Sequence, residues 1–263
     1  MAIPKIIHYC WFGNANKPQS VEKCISSWRK YCPDYEIKEW SEANFDVNQN
    51  QYCQQAYEEK AWGFVPDYIR LWIIYHEGGI YLDTDVQILK SFDSLLDNKA
   101  FAGFEYGTAD KKDGYFVNFG QGFGAEPGNK IILNHMNMYN DLQYRLQNGE
   151  YNRVASPNYT TDILVKHGLE RKQNKIQKLD GMTIYPTEYF CPKNFSTGVV
   201  KKTQNTYSIH HFDGSWYSEE EQRQREEWIK AARADYWRHW PNRFIRKVFG
   251  EELIEKIKQK IKK

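Results

Sequence analysis

The chain has 263 residues, enough for one large domain or two small ones with a substantial core. Its 36 Lys/Arg against 34 Asp/Glu leave a formal charge of +2, which gives no electrostatic footprint for a nucleic-acid partner. Five cysteines, an odd number without Cys-x-x-Cys spacing, suggest neither a zinc site nor a disulfide framework and point to a reducing compartment.

Aromatic residues make up 16%, with nine Trp and nineteen Tyr. Most fill a core, but the excess also suits a polar, ring-shaped ligand such as a sugar or nucleobase. Met1-Ala2-Ile3-Pro4-Lys5 leads straight into a strand, so no signal peptide is expected. No apolar run approaches the ~20 residues that span a bilayer. A cytoplasmic protein is expected.

Residues 3–12 read as a buried strand, broken by Gly13-Asn14. A helix over 21–30 places Cys24, Ile25 and Trp28 on one face, and Pro33-Asp34 turns the chain into a short strand over 35–40. This β-α-β opening is the start of an α/β nucleotide-binding domain. It has too few glycines for a dinucleotide fingerprint, so phosphate would be held through a metal. A helix over 51–62 follows, then one that begins at Pro66, with Asp67 at its positive end. Tyr68, Leu71, Trp72 and Tyr75 form its apolar stripe. Asp67 and Arg70 sit one turn apart beside it, either as a plain helical ion pair or as part of a site.

That helix feeds Gly78-Gly79-Ile80-Tyr81-Leu82-Asp83-Thr84-Asp85, the stretch around which the chain is organised. The glycines let the helix stop and the backbone turn. In a strand alternate side chains share a face, so Asp83 and Asp85 are expected to point the same way. Paired carboxylates at a strand end call for a divalent cation, with a metal-bound diphosphate as its usual companion. An aspartyl-phosphate phosphatase also uses such a triplet. It needs the triplet near its N-terminus and a later acidic pair, neither of which is found here.

Strands over 86–89 and 101–105 follow, then a polar loop over 107–113 read as mobile. Residues 114–125 carry four glycines among aromatics, which lets backbone approach a ligand closely. Helices over 130–146 and within 157–169, and a strand over 184–190, lead to Tyr207-Ser208-Ile209-His210-His211-Phe212-Asp213-Gly214-Ser215-Trp216. Imidazole is a common further ligand for a manganese-type ion held by carboxylate. Of the two histidines His211, nearer the loop, is favoured. A charged helix over 219–234 precedes the last 28 residues, where nine Lys/Arg against three Glu give a net +6. Trp237, Trp240, Phe244 and Ile245 begin an apolar series there at helical spacing. The tail is either a helix docked on its own domain or a basic amphipathic anchor for an anionic membrane surface.

Together the 3–13 segment, Asp67-Tyr68-Ile69-Arg70 with the Gly-Gly-Ile-Tyr-Leu-Asp-Thr-Asp run, and His-His with Ser-Trp resemble the DXD-motif glycosyltransferases. These include bacterial capsule and O-antigen transferases and fungal initiating mannosyltransferases, with the clostridial glucosylating toxins more distant. The resemblance implies an α/β fold of GT-A type with a mostly parallel central sheet over residues 1–235, and a helical tail over 236–263. It implies a retaining hexosyltransferase using Mn2+ or Mg2+ and a nucleotide-sugar donor, UDP-linked by preference and GDP-mannose otherwise. A lipid-linked saccharide acceptor would bring the enzyme to the inner face of the plasma membrane. By matching positions, Trp11 stacks on the base, Asp67 and Arg70 hold the donor sugar and its phosphate, and Asp83 touches ribose and sugar hydroxyls. Asp85 ligates the metal, with Arg70 and Asp83 beside it as the catalytic group. Ser215 and Trp216 form a lid over the diphosphate, and Gln121 with Gly122 line the donor. His211 stands where the toxins carry an acid. No enzymic nucleophile is evident; an acid near Gly122 and a non-catalytic sugar-binding protein both stay open.

Overall fold

The computed structural model describes residues 2–105, 114–214 and 217–240. The expected loop over 107–113, the lid residues Ser215 and Trp216, and the tail beyond Trp240 lie outside the described residues. Within that range, one compact unit comprises 2–195 with 200–217, and a second comprises 196–199 with 218–240.

In the first unit the apolar run near the N-terminus forms β1 (Ile6–Cys10), shorter than expected. It is followed by α1 (Gln19–Tyr31) and β2 (Glu36–Trp40). The predicted face of α1 is the buried one, and Trp28 is fully enclosed. Helices α2 (Gln51–Glu58) and α3 (Pro66–Glu77) precede β3 (Gly79–Tyr81). Strand β4 (Val86–Ile88) leaves the main sheet to pair antiparallel with β9 (Ser208–His210). Between them lie β5 (Ala100–Gly103), β6 (Phe123–Ala125), α4 (Lys130–Met138), α5 (Ser156–Lys166), β7 (Gln177–Leu179), β8 (Met182–Tyr185) and α6 (Thr187–Phe190).

The main sheet runs β2-β1-β3-β6-β5-β8-β7. Strands β2, β1, β3, β5 and β8 share one direction, and only β6 and β7 oppose it, so the sheet is mostly parallel. Its parallel strands therefore open their carboxyl ends on one edge, where α/β proteins place their ligands.

Two expected elements end early for local reasons. The helix over 130–146 stops at Met138, because Asn140 and Asp141 favour the tight turn that follows. The strand over 184–190 ends at Tyr185, where Pro186 has no amide to give the ladder.

The glycines after α3 are required twice over. Gly78 and Gly79 have φ of 68° and 93°, and a Cβ on Gly79 would meet Ile6 O at 2.8 Å and His8 Nε2 at 2.9 Å. His8 Nε2 donates to Gly78 O at 3.0 Å and its Nδ1 accepts from Trp40 Nε1 at 3.1 Å. On the other flank Trp28 Nε1 donates to Val86 O, and Val86 follows the acids directly. The turn that carries Asp83 and Asp85 is thus pinned at both ends by buried side chains.

In the second unit α7 (Glu219–Arg238) opens with a capping box between Ser218 and Glu221. It continues through residue 235, where the sequence reading divides domain from tail. Arg233 Nε donates to Thr197 O at 3.0 Å, and Trp237 and Trp240 are exposed.

Candidate active site

Asp83 and Asp85 converge, although not by strand alternation. Strand β3 ends at Tyr81, and the acids occupy a turn closed by Val86 N donating to Asp83 O at 3.1 Å. Asp83 N in turn donates to Gly120 O at 2.9 Å, which ties this turn to the glycine-rich segment.

The third member of the cluster is His210, whereas the sequence reading favoured His211. Ligand atoms of Asp83, Asp85 and His210 lie within 4.8 Å of one another. The register decides between the histidines. His210 pairs with Val86, the residue after the turn, and its Nε2 stands 3.2 Å from Asp85 Oδ1. His211 points to the other face, with its Nε2 3.2 Å from Gln87 Oε1. Asp85 Oδ2 accepts from Asp213 N at 2.9 Å, and this turn bends through Phe212 at φ 58°, a strained conformation for a bulky side chain.

Charge in the cluster is balanced internally. Burial alone would raise the Asp85 carboxyl, but the His210 charge and hydrogen bond, with the Asp213 amide, hold it down at about 2. Burial works against a charged His210, yet Asp85 beside it raises its pKa above the ordinary value. Two carboxylate oxygens and one imidazole nitrogen form a donor set that could hold a divalent metal ion.

Behind this cluster sits the Asp67–Arg70 pair, which is no ordinary surface ion pair. Both side chains are about one-twentieth exposed, with Arg70 Nη2 2.7 Å from Asp67 Oδ1. Arg70 Nη1 reaches Asp83 Oδ1 at 3.7 Å, and the guanidinium lies 5.1 Å from the Tyr81 ring centre. Burial pushes the Asp67 carboxyl up to about 6 against the pull of Arg70. The guanidinium is therefore committed to two carboxylates and braces Asp83.

The remaining expected residues are placed as follows. Trp11 follows β1 at the same sheet edge. It is half-buried, its indole N–H donates to Ala15 O at 2.7 Å, and the Lys17 amine lies 5.7 Å from its ring. Gln121 is buried, with Nε2 donating to Gly103 O and Phe104 O, while Gly122 packs near Leu82. Gly120 carries a role that the sequence did not single out. A Cβ there would lie 2.0 Å from Asp83 Oδ2. Asn118 Oδ1 accepts from Gly120 N at 2.7 Å, a local turn whose sequence signal was an Asn two residues before a Gly.

Residues 18–102 match the family described as glycosyltransferase sugar-binding region containing DXD motif. That interval holds α1, α3 and the Asp83–Asp85 turn. The segment is thus similar to a DXD-type glycosyltransferase sugar-binding region. Over 103 residues the chain is 34% identical to inositol phosphoceramide mannosyltransferase 3 of Schizosaccharomyces pombe, covering 36% of this chain and 28% of that protein. Over 111 residues it is 29% identical to subversion of eukaryotic traffic protein A of Legionella pneumophila, covering 32% of this chain and 17% of that protein. The chain thus spans less than a third of either relative. Among solved structures, the PaToxG glycosyltransferase superposes with a TM-score of 0.50 at 22% identity, over 63% of this chain and 70% of that one. The likeness is one of fold, and the architecture is of GT-A type. In this fold the DXD acids, His210 and the buried Asp67–Arg70 pair stand at the carboxyl edge of the parallel strands.

Proposed function

We propose that the chain is a metal-dependent, retaining glycosyltransferase that moves a hexose from a nucleotide-sugar donor to a saccharide acceptor. The convergence of Asp83, Asp85 and His210 at the carboxyl edge of the sheet carries this reading. Asp83, Asp85 and His210 would hold Mn2+ or Mg2+, whose charge stabilises a departing diphosphate. The protein's own work is positional. Arg70 fixes the Asp83 carboxylate from behind, Asp67 fixes Arg70, and the Asp213 amide fixes the second oxygen of Asp85. Trp11, Gln121 and Gly122 line the donor, with Ser215 and Trp216 as its lid. For retention, the acceptor hydroxyl attacks on the face the diphosphate leaves, and a phosphate oxygen takes its proton.

A uridine donor is the first reading. A mannosyl donor is the second, favoured by the two fission-yeast relatives named as inositol phosphoceramide mannosyltransferases. A lipid-linked acceptor of capsule or O-antigen type fits the basic segment after residue 235, which would hold a cytoplasmic enzyme at an anionic membrane face. Among the described residues no helix is long and apolar enough to cross a membrane.

A thermal-shift panel of UDP, GDP and their hexose conjugates, with Mn2+ and with chelator, tests the proposal. Stabilisation by a nucleoside diphosphate only when metal is present supports it. Turnover of a phosphomonoester would favour a phosphatase, and sugar binding indifferent to metal a non-catalytic binding protein.

A further inference from the structure

Strand β5 shares the direction of β3, so the residue two places beyond each strand emerges at the same sheet edge. After β3 that residue is Asp83. After β5 it is Glu105, a carboxylate only 4% exposed. The loop before β6 lies between them and links them. Asn118 Nδ2 donates to Glu105 Oε2 in a short hydrogen bond, Asn118 Oδ1 accepts from Gly120 N, and Gly120 O accepts from Asp83 N.

Among the described residues the Glu105 side chain makes one hydrogen bond, accepted by Oε2 from Asn118, and no salt bridge. Beside it, Gln121 spends its amide nitrogen on Gly103 O and Phe104 O, leaving a buried Oε1 without a donor. An acceptor enclosed without a donor, as Gln121 Oε1 is, is costly unless a ligand supplies one. Hydroxyl groups are the donors a sugar carries in quantity.

We infer that Glu105, with Gln121 Oε1 beside it, binds a sugar hydroxyl in the cleft next to the DXD turn. The inference rests on the glycosyltransferase reading and adds to it a residue that neither the motif nor the composition singles out. The hydroxyl belongs either to the hexose of the donor or to the saccharide acceptor, and the chemistry is the same. Glu105 is a binding residue in this account, and it also braces Asn118. The substitution Glu105→Gln separates those roles. The glutamine oxygen still accepts from Asn118, while the second position turns from an anionic acceptor into an amide donor.

The test titrates wild type and Glu105→Gln with Mn2+ alone, with UDP and GDP, and with UDP-glucose, UDP-galactose and GDP-mannose, and follows donor hydrolysis and transfer to a saccharide array. If the hydroxyl is the donor's, the variant loses about 10- to 100-fold in affinity for the sugar-bearing ligand, while Mn2+ and nucleoside diphosphate binding stay within about two-fold. If it is the acceptor's, donor binding and hydrolysis are retained and transfer falls by the same factor. A variant matching wild type in every arm overturns the assignment. So does one that loses Mn2+ or nucleoside diphosphate binding in parallel, which would mean Glu105 serves only the metal turn. A wild-type protein that binds none of these donors overturns the glycosyltransferase reading itself, together with this one.

Discussion

The Arg70 guanidinium stands 3.7 Å from Asp83 Oδ1, and its other terminal nitrogen is 2.7 Å from Asp67. One buried cation therefore serves two carboxylates, one structural and one at the mouth of the site. Removing the cation leaves Asp67 as an uncompensated buried charge. Arg70→Met should cost about 3–5 kcal/mol in stability, the range for breaking a buried pair. Asp67→Asn keeps the shape and should cost less, because Asp83 still faces Arg70. Denaturant melts of the two variants check the order. Equal losses would mean that Arg70 is held by something other than these acids.

Substituting each histidine in turn tests the register of β9 against β4. His210→Ala should weaken Mn2+ binding by about 10- to 100-fold or more, the scale at which even supporting residues of metal sites act. His211→Ala, whose ring meets Gln87 on the far face, should leave the Mn2+ midpoint almost unchanged. Asp85→Asn should abolish metal-dependent donor hydrolysis. Full activity of that variant in chelator would remove the ion from the mechanism.

What the sequence showed and what it hid divides along physical lines. Apolar runs and Gly-Gly punctuation announced β1, α1, α3 and the strand into Asp83, because burial periodicity and backbone freedom are local properties. The choice between His210 and His211 was not local. It depends on which residue of a distant strand pairs with Val86, and a shift by one residue exchanges the faces. Asp67 and Arg70 were visible as neighbours on a helix, but their burial depends on what packs over that helix. The same holds for Gly120, one of several glycines in its stretch, which matters only because Asp83 lies against it.

That contact gives a steric prediction. A methyl on Gly120 would lie 2.0 Å from Asp83 Oδ2, so Gly120→Ala should displace the carboxylate and weaken Mn2+ binding sharply. Gly128 is the matched control. It has open space around its missing Cβ, but a φ of 73°, so Gly128→Ala should cost about 1–2 kcal/mol of stability through backbone strain and leave metal binding intact. Titration of Mn2+ by thermal shift reads both effects. A Gly120→Ala protein that binds Mn2+ like wild type would show that the DXD turn is free to move away from the loop.

The last prediction concerns pH and the histidine that holds the Gly-Gly turn. His8 is fully buried and its pKa is lowered by that burial from 6.5 to about 4. Trp40 Nε1 donates to its Nδ1, so the fold holds the neutral tautomer protonated on Nε2. Below pH 6.5 the unfolded chain takes up a proton that the folded chain refuses. The stabilising contribution of neutral His8 is thus complete above pH 6.5 and falls as the pH drops towards 4, by up to about 3 kcal/mol. His135 is buried beside Phe119 and likewise lowered, to about 3, so it works in the same direction. Denaturant midpoints at pH 7 and pH 5 should therefore separate for wild type and draw together for His8→Gln. That substitution also loosens the turn leading into Asp83, because Gly78 O loses its ring donor. A His8→Gln protein with an undiminished pH slope would place the lost stability elsewhere and release the turn from this constraint.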